Sequence, residues 1–292
     1  MNRSERAAWT FVAPALTAIA LFFVLPTVAA LFLSFTDFDI YALADSRNMR
    51  IVGIENYARL LQNPLFWGAF GQTIWFVIFG TPLSIAASLA AALLLNAQAV
   101  KLRALWRVAL FAPYVTTLVA TAVVWRYLLH TRYGLINAGL GDLGLPRPDW
   151  LGDPNWAMPA ILIFVIWKTF GYNMLIFLAV LQSVPQELHE AARIDGAGPW
   201  ARFRHVTLPA IGPALALVSI VSMAGFFQLF AEPYVMTQGG PLDSTYSLVM
   251  LMYEQGFRWW RLGFASSVAF VLFALTLAAT GVQLRLQRRS AL

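Results

Sequence analysis

Apolar residues in this chain are grouped in six long runs, and polar or charged residues are concentrated in the segments between them. A helix needs about 20 apolar residues to cross the hydrocarbon core of a bilayer. Each run approaches or exceeds that length, so the pattern predicts an all-α integral membrane protein with six transmembrane helices. The predicted spans cover residues 11–35, 68–95, 108–129, 157–181, 214–230 and 262–284.

The first apolar run is longer than the apolar region of a secretory signal and lacks a small-residue cleavage site. We therefore interpret it as an uncleaved span. Between the spans, helical spacing of apolar residues also predicts short helices near residues 56–61, 135–140 and 248–257.

Composition agrees with this class of protein. Of the 292 residues, 60% are hydrophobic and 12% are charged, and the mean hydropathy is +0.67. Soluble domains carry about twice that fraction of charge. One transmembrane domain over residues 1–292 is therefore predicted. The chain has no cysteine, which excludes disulfides, zinc thiolate sites and thiol catalysis.

The net charge of +6 is distributed unevenly across the predicted membrane. The chain ends and the loops on one side carry eleven basic and four acidic residues, whereas the opposite loops carry seven basic and ten acidic ones. Cytoplasmic loops are enriched in Lys and Arg. Both termini and the loop at 183–213 are therefore predicted to be cytoplasmic, and the positive charge needs no nucleic-acid partner.

The loop at 183–213 is the longest polar departure in the second half of the chain. Ser183-Val184-Pro185-Gln186 predicts a helix start through a capping box with an early proline. Gly196, Gly198 and Pro199 predict the end of that helix. Trp200, Phe203 and Val206 are apolar residues at helical spacing and indicate a second short helix. We expect Trp200 and Phe203 to pack this helix onto the spans.

Charge pattern alone favours a solvated loop helix. The ordered set Glu190-Ala191-Ala192, Asp195-Gly196-Ala197, Phe203 and Leu208-Pro209, however, resembles the Glu-Ala-Ala loop of bacterial ABC import permeases. That resemblance implies coupling helices that sit in a groove of an ATP-hydrolysing subunit. Glu190 would be the anionic anchor in that groove. The residues expected to contact the ATPase subunit are Glu190, Ala191, Ala192, Asp195 and Gly196.

The resemblance extends over nearly the whole chain, through Phe35-Thr36-Asp37-Phe38, Gly53-Ile54-Glu55-Asn56-Tyr57, Tyr133-Gly134-Leu135-Ile136-Asn137, Leu181-Gln182-Ser183-Val184-Pro185 and Thr237-Gln238-Gly239-Gly240-Pro241. These segments are similar to the carbohydrate branch of these permeases, the maltose and glycerol-phosphate type. The resemblance implies a type I ABC importer permease fold in a bacterial inner membrane. It also implies four kinds of partner: a second homologous permease, two ATPase subunits, an extracytoplasmic solute-binding protein and membrane lipid.

No catalytic site is indicated within the chain. A phosphate-binding loop needs Gly-x-x-x-x-Gly-Lys-Ser/Thr, and neither Lys101 nor Lys168 lies in one, so ATP and Mg are expected on the partner ATPase. The three histidines fall in separate loops and predict no metal site. No nucleophile and base pairing stands out, so the chain is predicted not to be an enzyme and to hold no cofactor.

Polar residues inside the fourth and fifth spans predict a substrate path. Lys168 lies midway along the fourth span, where an ammonium is costly unless it faces water or a partner. Aromatic faces with hydroxyl and amide groups suit a sugar, although ordinary helix packing would use the same residue types. The predicted path residues are Lys168, Thr169, Tyr172, Asn173, Ser222, Phe226 and Gln228.

By resemblance to the maltose permease, Tyr172, Ser222 and Phe226 fall at sugar-contacting positions. Phe226 and Leu229 stand where that permease has asparagines, which leaves the solute open. We predict an alternating-access permease for a sugar or oligosaccharide. A polyol or glycerol-phosphate compound is the alternative within the family, and an ion-coupled secondary carrier, with intramembrane carboxylates or an inverted repeat, is the alternative from another class.

Overall fold

The computed structural model describes residues 3–97 and 101–290. The chain ends, and the side chains of Arg3, Arg6, Arg288 and Arg289 used in the charge distribution, lie outside the described part. Within it the regular structure is helical, and no strand is formed beyond an isolated bridge between Thr36 and Ile51.

The first eight α-helices are α1 (Arg3–Ile19), α2 (Leu25–Leu33), α3 (Ile40–Ala44), α4 (Glu55–Gln62), α5 (Pro64–Asn96), α6 (Arg103–Val115), α7 (Leu118–Leu128) and α8 (Leu135–Asp142). The next eight are α9 (Pro154–Ser183), α10 (Gln186–Ile194), α11 (Pro199–Arg202), α12 (Leu208–Ala210), α13 (Gly212–Phe227), α14 (Ala231–Met236), α15 (Leu248–Tyr253) and α16 (Leu262–Ser290). Three short π-helical turns complete the chain path. Ala20–Val24 joins α1 to α2, Phe203–Thr207 joins α11 to α12, and Glu254–Arg258 follows α15.

Four helical segments are long and apolar enough to cross a membrane: Trp9–Leu33, Pro64–Asn96, Pro154–Ser183 and Leu262–Gln287. Two bent helix pairs bring the number to six if each pair counts as one span. Each overlaps one of the predicted apolar runs, although the first segment of the fifth, Pro199–Ala210, lies in the predicted loop at 183–213. The third is not continuous, however, because α6 and α7 meet at 98° across Thr116 and Thr117.

Residues 3–67 and 251–274 group into one compact unit, and residues 68–97, 101–250 and 275–290 into another. The single-domain organisation stays a prediction. In the first unit, the buried Asn56 side chain donates hydrogen bonds to the carbonyls of Ser34 (2.9 Å) and Thr36 (2.7 Å). These bonds tie α4 to the end of the first span.

In the second unit, the ends of α5 and α9 and the start of α13 share an apolar core of aliphatic and aromatic side chains, which includes Leu95, Met174, Phe177 and Val218. Helix α6 packs along α9, and Gly171 permits their close approach. A Cβ at Gly171 would lie 2.2 Å from the carbonyl oxygen of Leu110. Any side chain there would therefore push the two helices apart.

The predicted short helices are confirmed as α4, α8, and α15 with the π turn that follows it. Helix α14 was not predicted. The apolar run 214–230 reads as one span, but its helix ends at Phe227, and Ala231–Met236 folds as a separate helix against α7. Pro233 in this segment has no N–H to donate, and so it suits the first turn of a new helix.

Candidate functional site

A cavity of about 250 Å³ lies between α9, α13 and α14 in the second unit. It is lined by six of the seven predicted path residues, which are Thr169, Tyr172, Asn173, Ser222, Phe226 and Gln228. Lys168 does not line it. The remaining lining residues that matter for the chemistry are Tyr114, from α6, and Glu232, from α14.

One wall of the cavity is a stacked aromatic pair. The rings of Tyr114 and Tyr172 are nearly parallel, at 17°, with centroids 4.8 Å apart. Tyr172 remains 39% exposed, so its ring is open to a ligand. Phe226, in contrast, is buried and meets Phe76 edge-on at 5.5 Å. It adds an apolar face to the cavity.

Side-chain hydrogen bonds from Asn173 link three helices, α9, α13 and α5. The buried Asn173 amide donates a hydrogen bond to the Ser222 hydroxyl at 3.0 Å, and a longer one, 3.5 Å, to the Ser84 hydroxyl. Interhelical hydrogen bonds of this kind are worth about 1 kcal/mol in membrane proteins. Asn173 and Ser222 therefore both hold α9 against α13 and present polar atoms to the cavity.

The Lys168 ammonium is directed into the break between α6 and α7. It donates hydrogen bonds to the carbonyls of Pro113 (2.6 Å), Tyr114 (3.3 Å) and Thr116, and to the Thr116 hydroxyl. Its side chain is only 6% exposed. The carbonyls at the end of a helix lack partners within that helix. Lys168 thus stabilises the broken span by satisfying these acceptors.

Glu232 is the carboxyl of the cavity, and sequence analysis had placed it in an external loop. It lies in α14 and is half-buried. Loss of solvation there raises the pKa of the Glu232 carboxyl, while the backbone amides of Glu232 and Phe230 and the Lys168 charge act in the opposite direction. No local pattern signals this position: Pro233 suits the first turn of α14, but only the packing of α14 against α7 and α9 brings Glu232 to the cavity.

Arg126 is a second cation that sequence analysis overlooked, near the end of the third span. Its guanidinium donates to the Val235 carbonyl at 3.3 Å and so links α7 to α14. Arg126 lines a different hollow, with His130 and Tyr133, not the cavity of Tyr172. Across residues 3–97 and 101–290, no group of three His, Asp or Glu side chains could hold a metal ion.

The predicted coupling helix is α10, and its C-terminal end forms as expected. Gly196 adopts a φ of +80°, the left-handed conformation that glycine reaches without strain. The Gly196 N–H donates to the Arg193 carbonyl at 3.0 Å, and the Ala197 N–H to the Ala192 carbonyl at 2.8 Å. These two bonds form a Schellman motif.

The predicted start of α10 is partly wrong. The helix begins at Gln186 after Pro185, but no side chain caps it, and the Ser183 hydroxyl donates instead to the Val180 carbonyl at 2.8 Å. The expectation that Trp200 packs onto the spans is also wrong within this chain. Trp200 stacks on Phe203 at 5.4 Å and remains 71% exposed.

A larger cavity, about 600 Å³, lies beside α10. Glu190 lines it together with His189, and three arginines contribute to its wall: Arg103, Arg193 and Arg202. In the described part of the chain Glu190 forms no ion pair. Two apolar residues of α10, Leu188 and Ile194, are also exposed and do not line this cavity. The helix therefore presents exposed apolar side chains beside its charged ones.

Comparison with known proteins defines the class. Residues 84–291 match the family of binding-protein-dependent transport system inner membrane components. The chain is 34% identical to the sulfoquinovosyl glycerol transport system permease protein of Agrobacterium fabrum, over 94% of this chain and 88% of the relative. It is also 34% identical to the lactose transport system permease protein of Rhizobium radiobacter, over 94% and 92% respectively.

A solved structure shows the same fold. It is a bacterial alginate ABC transporter in complex with an alginate pentasaccharide-bound periplasmic protein. One of its chains superposes with a TM-score of 0.82 at 20% identity, covering 99% of this chain and 96% of that one. The chain belongs to the family of inner-membrane permease components of binding-protein-dependent ABC transport systems. This assignment decides against the secondary-carrier alternative, although a carboxyl does line the cavity.

Proposed function

We propose that this chain passes a neutral sugar or small oligosaccharide across the inner membrane. The observation that carries the proposal is the cavity between α9, α13 and α14. The stacked rings of Tyr114 and Tyr172 offer a platform for the C–H face of a sugar, and Asn173 and Ser222 offer polar atoms for its hydroxyls. Ligand sites typically combine apolar walls with a few placed polar groups in this way.

The relatives support a carbohydrate solute. One permease that is 34% identical is named for lactose, a neutral disaccharide, and another that is 34% identical is named for sulfoquinovosyl glycerol, a sulfonated sugar. The relatives therefore support a carbohydrate without deciding its charge. A phosphate-bearing solute would be served by free cations at the cavity. None of the described residues that line it is Lys, Arg or His, which favours a neutral sugar over a glycerol-phosphate compound.

The energy source in this proposal is a separate ATPase. The chain contains no phosphate-binding loop, so ATP and Mg are bound, and ATP is hydrolysed, on two partner subunits. Helix α10 docks on such a subunit through Glu190, Ala191, Ala192, Asp195 and Gly196. The exposure of Ile194, 87%, supports a partner that covers this end of α10.

Two further partners complete the assembly. A second homologous permease provides the remaining wall of the cavity, and a solute-binding protein delivers the sugar from outside. The solved neighbour, captured with its periplasmic protein, supports the latter. The charge distribution supports cytoplasmic termini, which places α10 where ATP is available. Closure of the ATPases on ATP then moves α10 and, through α9, opens the cavity alternately to each side.

The test is uptake of radiolabelled lactose and other neutral disaccharides into proteoliposomes. One set holds the chain with its permease partner, both ATPases and the binding protein, and a second set lacks the ATPases. We expect the sugar to accumulate only in the first set, and only when ATP is supplied on the side of the membrane that holds the ATPases. Concentrative uptake by the chain without ATPases would overturn the proposal.

A further inference from the structure

The cavity lined by Tyr172 and Ser222 has a strongly one-sided electrostatic character. Its described lining contains one carboxyl, Glu232, and no Lys, Arg or His. Glu232 is held there by α14, which packs against α7 and α9 and is tied to α7 by the Arg126 bond to the Val235 carbonyl. The position of the carboxyl is therefore a consequence of the tertiary packing and not of a flexible loop.

Lys168 does not offer this cavity a free ammonium group that could bind an anionic solute. Lys168 donates to three backbone carbonyls and one hydroxyl, so its ammonium protons are already in use. It interacts favourably with Glu232 through space, but the two form no ion pair within 4.0 Å among the described residues. Arg126 lies on another hollow. An anionic solute entering the cavity would meet Glu232 and no free cation.

We propose that Glu232 sets the charge selectivity of the permease, so that the cavity admits neutral sugars and rejects acidic ones. The inference rests on the proposed function, since it presupposes that the cavity takes a sugar. The Lys168 charge and the backbone amides of Glu232 and Phe230 favour the ionised carboxylate against the loss of solvation. In that form Glu232 accepts hydrogen bonds from sugar hydroxyls, which are strong when the acceptor is charged. A uronate or sulfonated sugar places a second anion beside it.

Placing two anions close together in a partly desolvated cavity costs free energy. Either both stay ionised and repel each other, or one must take up a proton at a cost in free energy. Like-charge contacts at buried interfaces cost several kcal/mol. A neutral sugar avoids both penalties. The carboxyl responsible for this effect belongs to this subunit, and the effect adds to whatever selection a solute-binding protein makes.

The experiment measures equilibrium binding to the assembled importer in nanodiscs, without the solute-binding protein, so that the permease alone determines selectivity. The probes are lactose, maltose and cellobiose, each paired with the disaccharide in which the terminal CH₂OH is oxidised to a carboxylate. The wild type is compared with Glu232→Gln, which keeps the shape of the side chain and removes its charge. Gln228→Glu is the reciprocal variant, because it adds a carboxyl to the same cavity.

We expect the wild type to bind the neutral member of a pair at least about tenfold more tightly than the acidic member. Glu232→Gln should reduce that ratio about tenfold, and Gln228→Glu should increase it. If Glu232→Gln does not assemble, the direction found for Gln228→Glu decides the matter.

An unchanged ratio in the variants, with neutral sugars still bound, would overturn the role of Glu232 while leaving the proposed function in place. Failure of the wild type to bind any of the three neutral sugars would instead count against the proposed function, and the role of Glu232 would fall with it.

Discussion

The Lys168 ammonium donates a hydrogen bond to the Pro113 carbonyl across 2.6 Å, linking the middle of α9 to the last turn of α6. This bond and its neighbours occupy the break in the third span, where the chain turns by 98°. Because Tyr114 lies in the same turn and stacks on Tyr172, Lys168 also positions one wall of the cavity. It is a positioning residue for the proposed sugar platform.

Replacing Lys168 with Met should destabilise the protein. The methionine fills similar space but leaves the carbonyls of Pro113 and Thr116 without a donor in a buried place, which costs about 2 kcal/mol. The thermal unfolding midpoint of the assembled importer, followed by size-exclusion fluorescence, is expected to fall. Lys101→Met is the matched control, since Lys101 is exposed and is the only other lysine in the sequence. Equal midpoints for both variants would contradict the bonding role.

Replacing Tyr172 with Ala should weaken sugar handling, because it removes the ring that stacks on Tyr114 and faces the cavity. Aromatic contacts are worth about 1 kcal/mol beyond their burial. We expect the rate of ATP-dependent uptake at low sugar concentration to drop about fivefold to tenfold. Tyr172→Phe keeps the ring and should retain most of the rate. A phenylalanine variant as poor as the alanine variant would shift the role to the hydroxyl.

Ser222→Ala should reduce uptake more modestly. It removes the acceptor for the Asn173 amide and one polar atom of the cavity, at a cost of about 1 kcal/mol and hence a change of about fivefold. Ser219→Ala is the control on the same helix, because the Ser219 hydroxyl bonds only to the Leu215 carbonyl at 2.6 Å and does not line the cavity. Initial uptake rates compare the two, and indistinguishable rates would remove Ser222 from the path.

Gly196→Ala should impair coupling between ATP turnover and uptake. Nothing lies within 4 Å of a Cβ built there, so the variant has no clash, but its φ of +80° strains any side chain by about 1 kcal/mol. The end of α10 would shift, and fewer sugars would enter per ATP hydrolysed. Gly198→Ala is the matched control, with equal space and an ordinary φ of −67°. A similar ratio of uptake to ATP turnover in both variants would reject the role of Gly196.

Glu190→Gln should also lower uptake per ATP, because it removes the anionic anchor proposed for the ATPase groove. Glu187→Gln is the control: it lies on the same helix and does not line the arginine-rich cavity. Co-purification of the ATPase subunits with each variant measures docking directly. Full retention of the ATPase and normal coupling in Glu190→Gln would show that the anchor lies elsewhere on α10.

Much of the candidate site was predictable because it follows from short stretches of chain. Six of the seven predicted path residues line one cavity. Polar residues on a span are costly when they face lipid, and so they usually face the interior of the helix bundle. The end of α10 was predictable for a similar reason, as Gly196 reaches the required φ without strain. Lys168 was also singled out correctly as an unusual residue, but its partners were not foreseeable.

Taken alone, the sequence determined the class of protein, the six apolar runs and the position of α10, because hydropathy and glycine conformation are properties of neighbouring residues. Tertiary structure alone decided the break in the third span and the entry of Glu232 into the cavity. The carbonyls that hold the Lys168 ammonium lie 52 to 55 residues away along the chain. Contacts of that range depend on how helices pack, and no local pattern of residues specifies them.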